Sequence, residues 1–218
     1  NEKKIKTWSL IGSRATFGMV MLDLPNLIPE LVVMTADVST SAGLDRFRKT
    51  HPDNYVDVGI AEQNLIGIAS GMASQGHCVF TTTFAPFQTM RCCEQIKVNL
   101  GYMKEKVIMV GLASGIVLGN LGYTHCCIED ISVMRSIPNI TVLSPSDTTE
   151  TVKAIYASIH HKNSVYIRLT GSSNNPIVNK SDYNFEIGKA ITLKNGKDIT
   201  IFSTGTMVYE SLKASDIL

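Results

Sequence analysis

The sequence predicts an α/β fold, a doubly wound and mostly parallel sheet flanked by helices, with the start of a second α/β domain behind it. Three observations predict it. Short apolar runs alternate with stretches of helical periodicity. The runs are continuous rather than alternating with polar residues, as expected of strands covered on both faces. Glycine or polar turns separate the two kinds of segment, the pattern of repeated βαβ units.

The predicted strands are Leu31–Thr35, Tyr55–Val58, Cys78–Thr82, Val107–Val110, Thr141–Leu143 and Val165–Arg168. The predicted helices lie between them. Arg14–Leu24 has apolar residues at helical spacing and ends in the Pro25 and Pro29 region. Ala61–Gln75 carries Leu65, Ile68, Ala69 and Met72 on one face, with Gly76 suited to its C-terminal cap. A third helix is expected from about Phe87 to Leu100, and Ser146-Asp147 suits the cap of a fourth reaching His160. The polar, turn-rich stretch from Asn174 to Asn184 reads as a linker. Beyond it, Ile199–Ser203 is expected as a strand, Thr204-Gly205-Thr206 as a turn and Met207 onward as a helix.

Composition narrows the function. The 218 residues suffice for one α/β domain plus a fragment. With 44% hydrophobic and 18% charged residues the chain suits a packed soluble domain. A formal net charge of +1 gives no electrostatic reason to expect nucleic acid or an anionic membrane as partner. No apolar run is long enough to span a bilayer, and the charged Asn1-Glu2-Lys3-Lys4 is not followed by a signal-peptide core, so a cytoplasmic protein is expected. The five cysteines, Cys78, Cys92, Cys93, Cys126 and Cys127, show no CxxC spacing and read as reduced thiols. A metal site of Cys126, Cys127 and His125 is the alternative to packed thiols beside a functional histidine; packed thiols are the reading adopted, with no metal held by this chain.

Four stretches then carry a resemblance. Asp57-Val58-Gly59-Ile60-Ala61-Glu62-Gln63-Asn64 resembles the strand-to-helix segment bearing the catalytic glutamate of transketolases and 1-deoxyxylulose-5-phosphate synthases. Thr81-Thr82-Thr83-Phe84-Ala85-Pro86-Phe87 resembles the aromatic segment after the next strand. Gly122-Tyr123-Thr124-His125 resembles a loop ending in a substrate-side histidine. Ile128-Glu129-Asp130-Ile131, Met134-Arg135-Ser136-Ile137-Pro138-Asn139 and Pro145-Ser146-Asp147 resemble the stretch that follows. The order of the four, from about Ser13 to about Leu169, makes the resemblance specific.

The resemblance implies a thiamine diphosphate pyrimidine-binding domain over 1–178, and over 179–218 a linker and the incomplete first part of a transketolase C-terminal-type domain. It implies a two-carbon ketol transferase acting on sugars or sugar phosphates. Glu62 matches the glutamate that hydrogen-bonds the cofactor's aminopyrimidine, and desolvation in an apolar site would bias its carboxyl toward the protonated form. On position alone Glu62 reads as a first-turn acid complementing a helix dipole, and the surrounding motif is what favours the catalytic reading. Phe84 and Phe87 match residues by the pyrimidine, Phe87 being the stacking candidate. Ile60 and Met90 fall beside the cofactor, Met90 where many relatives place an aromatic. Arg91 is either a cofactor-side group or a surface charge, and Asp37 either an acid near the cofactor or a strand-end turn residue.

On the substrate side His125 matches a histidine that contacts the sugar and serves in proton transfer. Arg14 and Ser41 match groups that bind a substrate phosphate, which arginine suits through its paired donors; Arg14 reads alternatively as a solvated charge. Three departures bear on the substrate. Leu121 replaces an acid that meets a substrate hydroxyl, Ala113 stands where some transketolases have a second histidine, and Thr170 where some have a phosphate-binding arginine, a loss for which nearby Arg168 is the candidate compensation. Fewer buried polar groups imply a less hydroxylated or bulkier sugar.

In the family the diphosphate and its Mg2+ (or Ca2+) are held by a different domain marked by Gly-Asp-Gly, which this sequence lacks. The resemblance therefore implies the C-terminal subunit of a two-gene enzyme, a heterotetramer with two copies of an N-terminal diphosphate-binding subunit. A pyruvate-using synthase of the same cofactor class and a noncatalytic subunit of the same fold are the alternatives.

Overall fold

The computed structural model describes residues 2–171 and 173–218. Six strands form one sheet: β1 (Leu31–Thr35), β2 (Tyr55–Asp57), β3 (Cys78–Phe84), β4 (Val107–Leu112), β5 (Ile140–Leu143) and β6 (Ser164–Arg168). The order is β2-β1-β3-β4-β6-β5, and every pairing is parallel. All six strands expected before the polar stretch at Asn174 are present.

Side-chain alternation along the strands builds two separate cores. Leu31, Val33, Phe80, Ile108, Val110, Val165 and Ile167 face one side. There they meet Phe17, Val20, Met21 and Leu24 of α1 (Glu2–Asp23) and the residue after it, Phe47 of α2 (Asp45–Thr50), and Ile155 of a later helix. Val32, Met34, Val79, Val107, Met109 and Tyr166 face the other side. They meet Leu65, Ile66 and Ala69 of α3 (Glu62–Ser74), then Ile96 and Leu100. Both faces are covered, which is why the strands read as unbroken apolar runs.

The chain winds from β1 outward to β2 and then returns across β1 to β3. In open α/β sheets a crevice opens at the carboxyl ends of the strands where such a reversal occurs. The loops after β1, β2 and β3 all emerge there.

Several expectations need correction. The first helix starts at Glu2 rather than Arg14, with a break at Gly12 whose φ of 82° suits glycine. The break leaves backbone groups without helical partners, and Asn174 and Asn175 supply them. Asn174 N–H donates to Leu10 O at 3.1 Å, Asn175 N–H to Ser9 O at 2.9 Å, and Ser13 N–H to Asn175 Oδ1 at 3.2 Å. The expected helix from Phe87 to Leu100 is three pieces: α4 (Ala85–Gln88), α5 (Cys93–Gln95) and a π-helical stretch, Ile96–Tyr102. Sequence periodicity also missed α2 and α6 (Asp130–Arg135), each only six residues long.

The fourth expected helix is α7 (Thr148–His160), and Asp147 is its cap, accepting from Glu150 N–H at 2.8 Å. The same carboxylate accepts from Val178 N–H at 2.9 Å and Asn179 N–H at 2.7 Å. The polar stretch read as a linker is therefore tied to the domain. The strand expected at Ile199–Ser203 does not form. A strand needs a ladder partner, and Ile199, Ile201 and Phe202 stand exposed at 68%, 45% and 88%. The helix expected after it is α8 (Met207–Ile217). Among the described residues no helix is long and apolar enough to cross a membrane.

Candidate active site

The site is built from three loops at the carboxyl end of the sheet. After β2, Val58 N–H still reaches Thr35 O at 3.0 Å, Gly59 turns with a φ of 70°, and Ala61 leads into α3. Glu62 is thereby the first residue of α3, and it is 5% exposed. Asp57, the last residue of β2, holds this turn. Its Oδ1 accepts from Gly59 N–H at 3.0 Å and from Asp37 N–H at 2.9 Å, and its Oδ2 from the Tyr55 hydroxyl at 3.2 Å. Asp37 itself has a φ of 55° and an exposed side chain. One carboxylate thus ties the loop after β1 to the loop after β2.

The loop after β3 supplies the wall. Phe84 and Phe87 meet edge to face, with centroids 6.2 Å apart. The Arg91 guanidinium lies 4.0 Å from the Phe87 ring centroid, and its Nη1 donates to Glu62 Oε1 at 2.6 Å. Gln63 Nε2 donates to the Arg91 carbonyl at 3.1 Å, fixing the backbone below that side chain. The expected apolar surroundings of Glu62 are therefore corrected: its buried carboxyl group faces a guanidinium. Cys92, the next residue, is buried, and burial with Glu62 nearby pushes its thiol up to about 12.

The loop after β4 supplies the histidine. Gly115 and Cys127 exchange backbone hydrogen bonds of 2.7 and 2.8 Å, closing the loop between them. Gly122, at a φ of 78°, turns it back, and His125 lands 5.3 Å from the Phe87 ring and 5.9 Å from Phe84, both edge on. His125 Nδ1 also meets Thr124 Oγ1 at 2.9 Å. Cys127 is buried with its sulfur 3.9 Å from Thr89 Oγ1, and burial beside Asp130 pushes its thiol up to about 11. No group of three or more His, Cys, Asp or Glu side chains among the described residues is arranged to hold a metal, so the alternative of Cys126, Cys127 and His125 as ligands gains no support.

The structure thus brings Glu62, Phe84, Phe87, Arg91 and His125 into one cluster, from positions up to 63 residues apart. Ile60 and Met90, 78% and 42% exposed, stand on neighbouring loop positions. Arg14 and Ser41 form a second grouping, with Arg14 Nη1 3.5 Å from Ser41 O. Arg168 joins neither, because its Nε is committed to buried Asp130. Ala113 is buried with a φ of 52°, whereas Leu121 is exposed. Sequence reasoning assigned no role to Asp57 or Gln63, although both lie in the stretch that revealed Glu62. An acid ending a strand just before a glycine turn was the available signal for Asp57.

Residues 10–175 match the family model described as transketolase, pyrimidine binding domain. An apulose-4-phosphate transketolase subunit of Phocaeicola vulgatus is 34% identical over 210 residues, covering 96% of this chain and 67% of that protein. The 6-deoxy-6-sulfo-D-fructose transketolase subunit SqwH of a Clostridium species is 37% identical over 205 residues, covering 94% and 63%. Among solved structures, a split gene transketolase described as an inactive beta4 tetramer superposes with a TM-score of 0.85 at 35% identity, covering 95% of this chain and 67% of that one. The chain spans about two thirds of the length of the curated relatives it matches. With this fold, this ordered cluster and these relatives, the chain belongs to the transketolase pyrimidine-binding domain family, in the form found in split transketolases.

Proposed function

We propose that this chain is one subunit of a thiamine diphosphate-dependent transketolase that moves a two-carbon ketol unit between sugar or sugar-phosphate substrates. The observation that carries the reading is the meeting of buried Glu62, aromatic Phe87 and His125 at the carboxyl ends of the strands. The residues fit a flat aminopyrimidine. Glu62 already accepts from a planar N–H group, and the same Arg91 guanidinium lies over the Phe87 ring.

When bound, thiamine diphosphate supplies an electron sink at its thiazolium C2. Glu62 would hydrogen-bond a ring nitrogen of the aminopyrimidine and hold the proton shared there at Oε1 or Oε2. Phe87, with Phe84 behind it, would stack on the ring, while Ile60, Met90 and the loop of Asp37 would border it. His125 contacts the sugar and moves a proton there. Arg14 beside Ser41 is the group offered to a substrate phosphate. Arg168 Nε is held by buried Asp130, so no direct substrate contact is assigned to it.

The partner is a diphosphate-binding subunit that also holds Mg2+ (or Ca2+), in an assembly of two copies of each. Ile60, Met90, Ile116, Leu121, Tyr123 and Ile128 are all exposed on the loops around the cluster, an apolar rim that suits a subunit contact. The inactive beta4 tetramer of a similar protein supports the same dependence. Residues 179–218 are read as the opening of a further domain, whose packing would cover Ile199, Ile201 and Phe202.

Calorimetric titration of thiamine diphosphate and Mg2+ tests the reading, with this chain alone and mixed with the partner subunit. Binding in the mixture only, followed by turnover of ketose donors, is the expected result. Turnover of pyruvate instead would favour a synthase, and no binding in the mixture would sink the enzymatic reading.

A further inference from the structure

Arg91 contacts both groups that the proposed function assigns to the aminopyrimidine. Its Nη1 lies 2.6 Å from Glu62 Oε1, and its guanidinium carbon lies 4.0 Å from the centroid of Phe87. A guanidinium shares with an aminopyrimidine the properties such a place selects: it is planar, it carries N–H donors in its plane, and its face stacks on an aromatic ring. From this geometry we infer that Arg91 is a built-in competitor for the pyrimidine position, which the cofactor takes only by displacing the guanidinium. The inference rests on the reading of Glu62 and Phe87 given above.

Two physical arguments make the two occupants mutually exclusive. The first is space, since the face of Phe87 that lies 4.0 Å from the guanidinium carbon cannot also lie against a pyrimidine. The second is the proton. Guanidinium offers donors only and keeps its charge across the accessible pH range. It therefore pairs with Glu62 as a carboxylate, whereas a proton shared with a ring nitrogen must reside on Glu62 or on the ring. The pair with Arg91 and the shared proton are alternative states of the same carboxyl group.

The local build allows the exchange. Glu62 is fixed in the first turn of α3 at 6% side-chain exposure, while the Arg91 side chain is 43% exposed on a long flexible stem. Gln63 holds the Arg91 carbonyl, so the side chain swings while its backbone stays. An ion pair with one exposed partner and a cation–π contact are each weak. Together they hold Glu62 and cover Phe87, yet a cofactor anchored elsewhere by its diphosphate overcomes them. Arg91 would thus lower the apparent affinity for cofactor by the fraction of time it occupies the place.

The test is calorimetric titration of thiamine diphosphate with Mg2+ into the complex of this chain and its diphosphate-binding partner subunit. Native complex is compared with Arg91→Met, which keeps a long apolar stem, and with Arg91→Lys, which keeps the charge without the flat face. Arg91→Met is expected to bind about tenfold more tightly, the combined weight of one exposed ion pair and one cation–π contact. Arg91→Lys should show the same direction with a smaller change, and it decides the matter should the methionine variant fail to assemble. Millimolar methylguanidine added to the Arg91→Met complex should return the affinity toward the native value, a response that a purely structural arginine would not give. Equal or weaker binding by the variants, in a native complex that binds, overturns the competitor and makes Arg91 a neutral or direct cofactor contact. If the native complex itself does not bind, the reading of Glu62 and Phe87 falls and the inference falls with it.

Discussion

Arg168 donates from Nε to Asp130 Oδ2 across 2.8 Å, joining the end of β6 to the first turn of α6 inside the protein. The Tyr166 hydroxyl donates to the same oxygen, also at 2.8 Å. Asp130 is fully buried and the Arg168 side chain only 13% exposed. Removing one partner of such a pair strands the other charge. Asp130→Asn should therefore destabilise the protein by about 3 kcal/mol, read as a shift in the urea midpoint. Replacing both, Asp130→Leu with Arg168→Met, should recover part of that loss. A single variant as stable as the native chain would show that water reaches the pair.

Glu62→Gln keeps the shape of the side chain and removes its exchangeable carboxyl proton. In the complex with the partner subunit, kcat should fall by about 100-fold or more, while the fold of the isolated chain, followed by circular dichroism, stays native. Retention of full activity would point to the noncatalytic reading.

Asp147 caps α7 and also accepts from Val178 and Asn179. Asp147→Ala should cost about 2 kcal/mol through the lost cap. It should also open the segment from Asn174 to Asn184 to limited proteolysis, because that segment loses its anchor. Destabilisation without new cleavage would mean that the contacts of Asn175 at the Gly12 break hold it unaided.

Gly18 faces the loop after β1 with no room to spare. A Cβ there would lie 2.1 Å from the Gly43 carbonyl oxygen, a backbone atom that cannot turn aside. Gly18→Ala should thus destabilise by about 3 kcal/mol, measured by thermal unfolding. A neutral effect would show that α1 slides freely over the loop.

Two buried thiols, Cys92 and Cys127, contribute to the loss of stability at alkaline pH. Burial first, then Glu62, raises Cys92 to about 12, and burial first, then Asp130, raises Cys127 to about 11, both from an ordinary 9.0. In the unfolded chain these thiols ionise above about pH 9, whereas in the folded chain they keep their protons. The unfolded state then binds fewer protons, so stability is complete below pH 9 and falls as pH rises toward 11 and 12. Each thiol contributes a loss of at most about 1.4 kcal/mol per pH unit in that window. Denaturant midpoints across it should decline, and less steeply in Cys92→Ala. An unchanged slope in that variant would mean that Cys92 is open to solvent.

The six strands and their parallel pairing were legible in one dimension, because apolar runs such as Leu31–Thr35 and Val107–Leu112 must be covered on both faces wherever they sit. Glu62, Phe87 and His125 were legible as candidates too, since four short stretches kept their order. The breaks were not. The Gly12 break and the three pieces between Ala85 and Tyr102 are stable only where other segments satisfy the freed backbone groups, as Asn174 and Asn175 do for the first. Nor could Ile199–Ser203 become a strand on local pattern alone, because a strand is a property of a pair. Partnership decided the site as well. Arg91 read equally as a surface charge or a cofactor group until folding set it against Glu62 and Phe87, and Arg168 read as a substrate group until folding set it against Asp130. Periodicity is local and survives in the linear chain, whereas the partner of a charge is fixed only when distant loops converge.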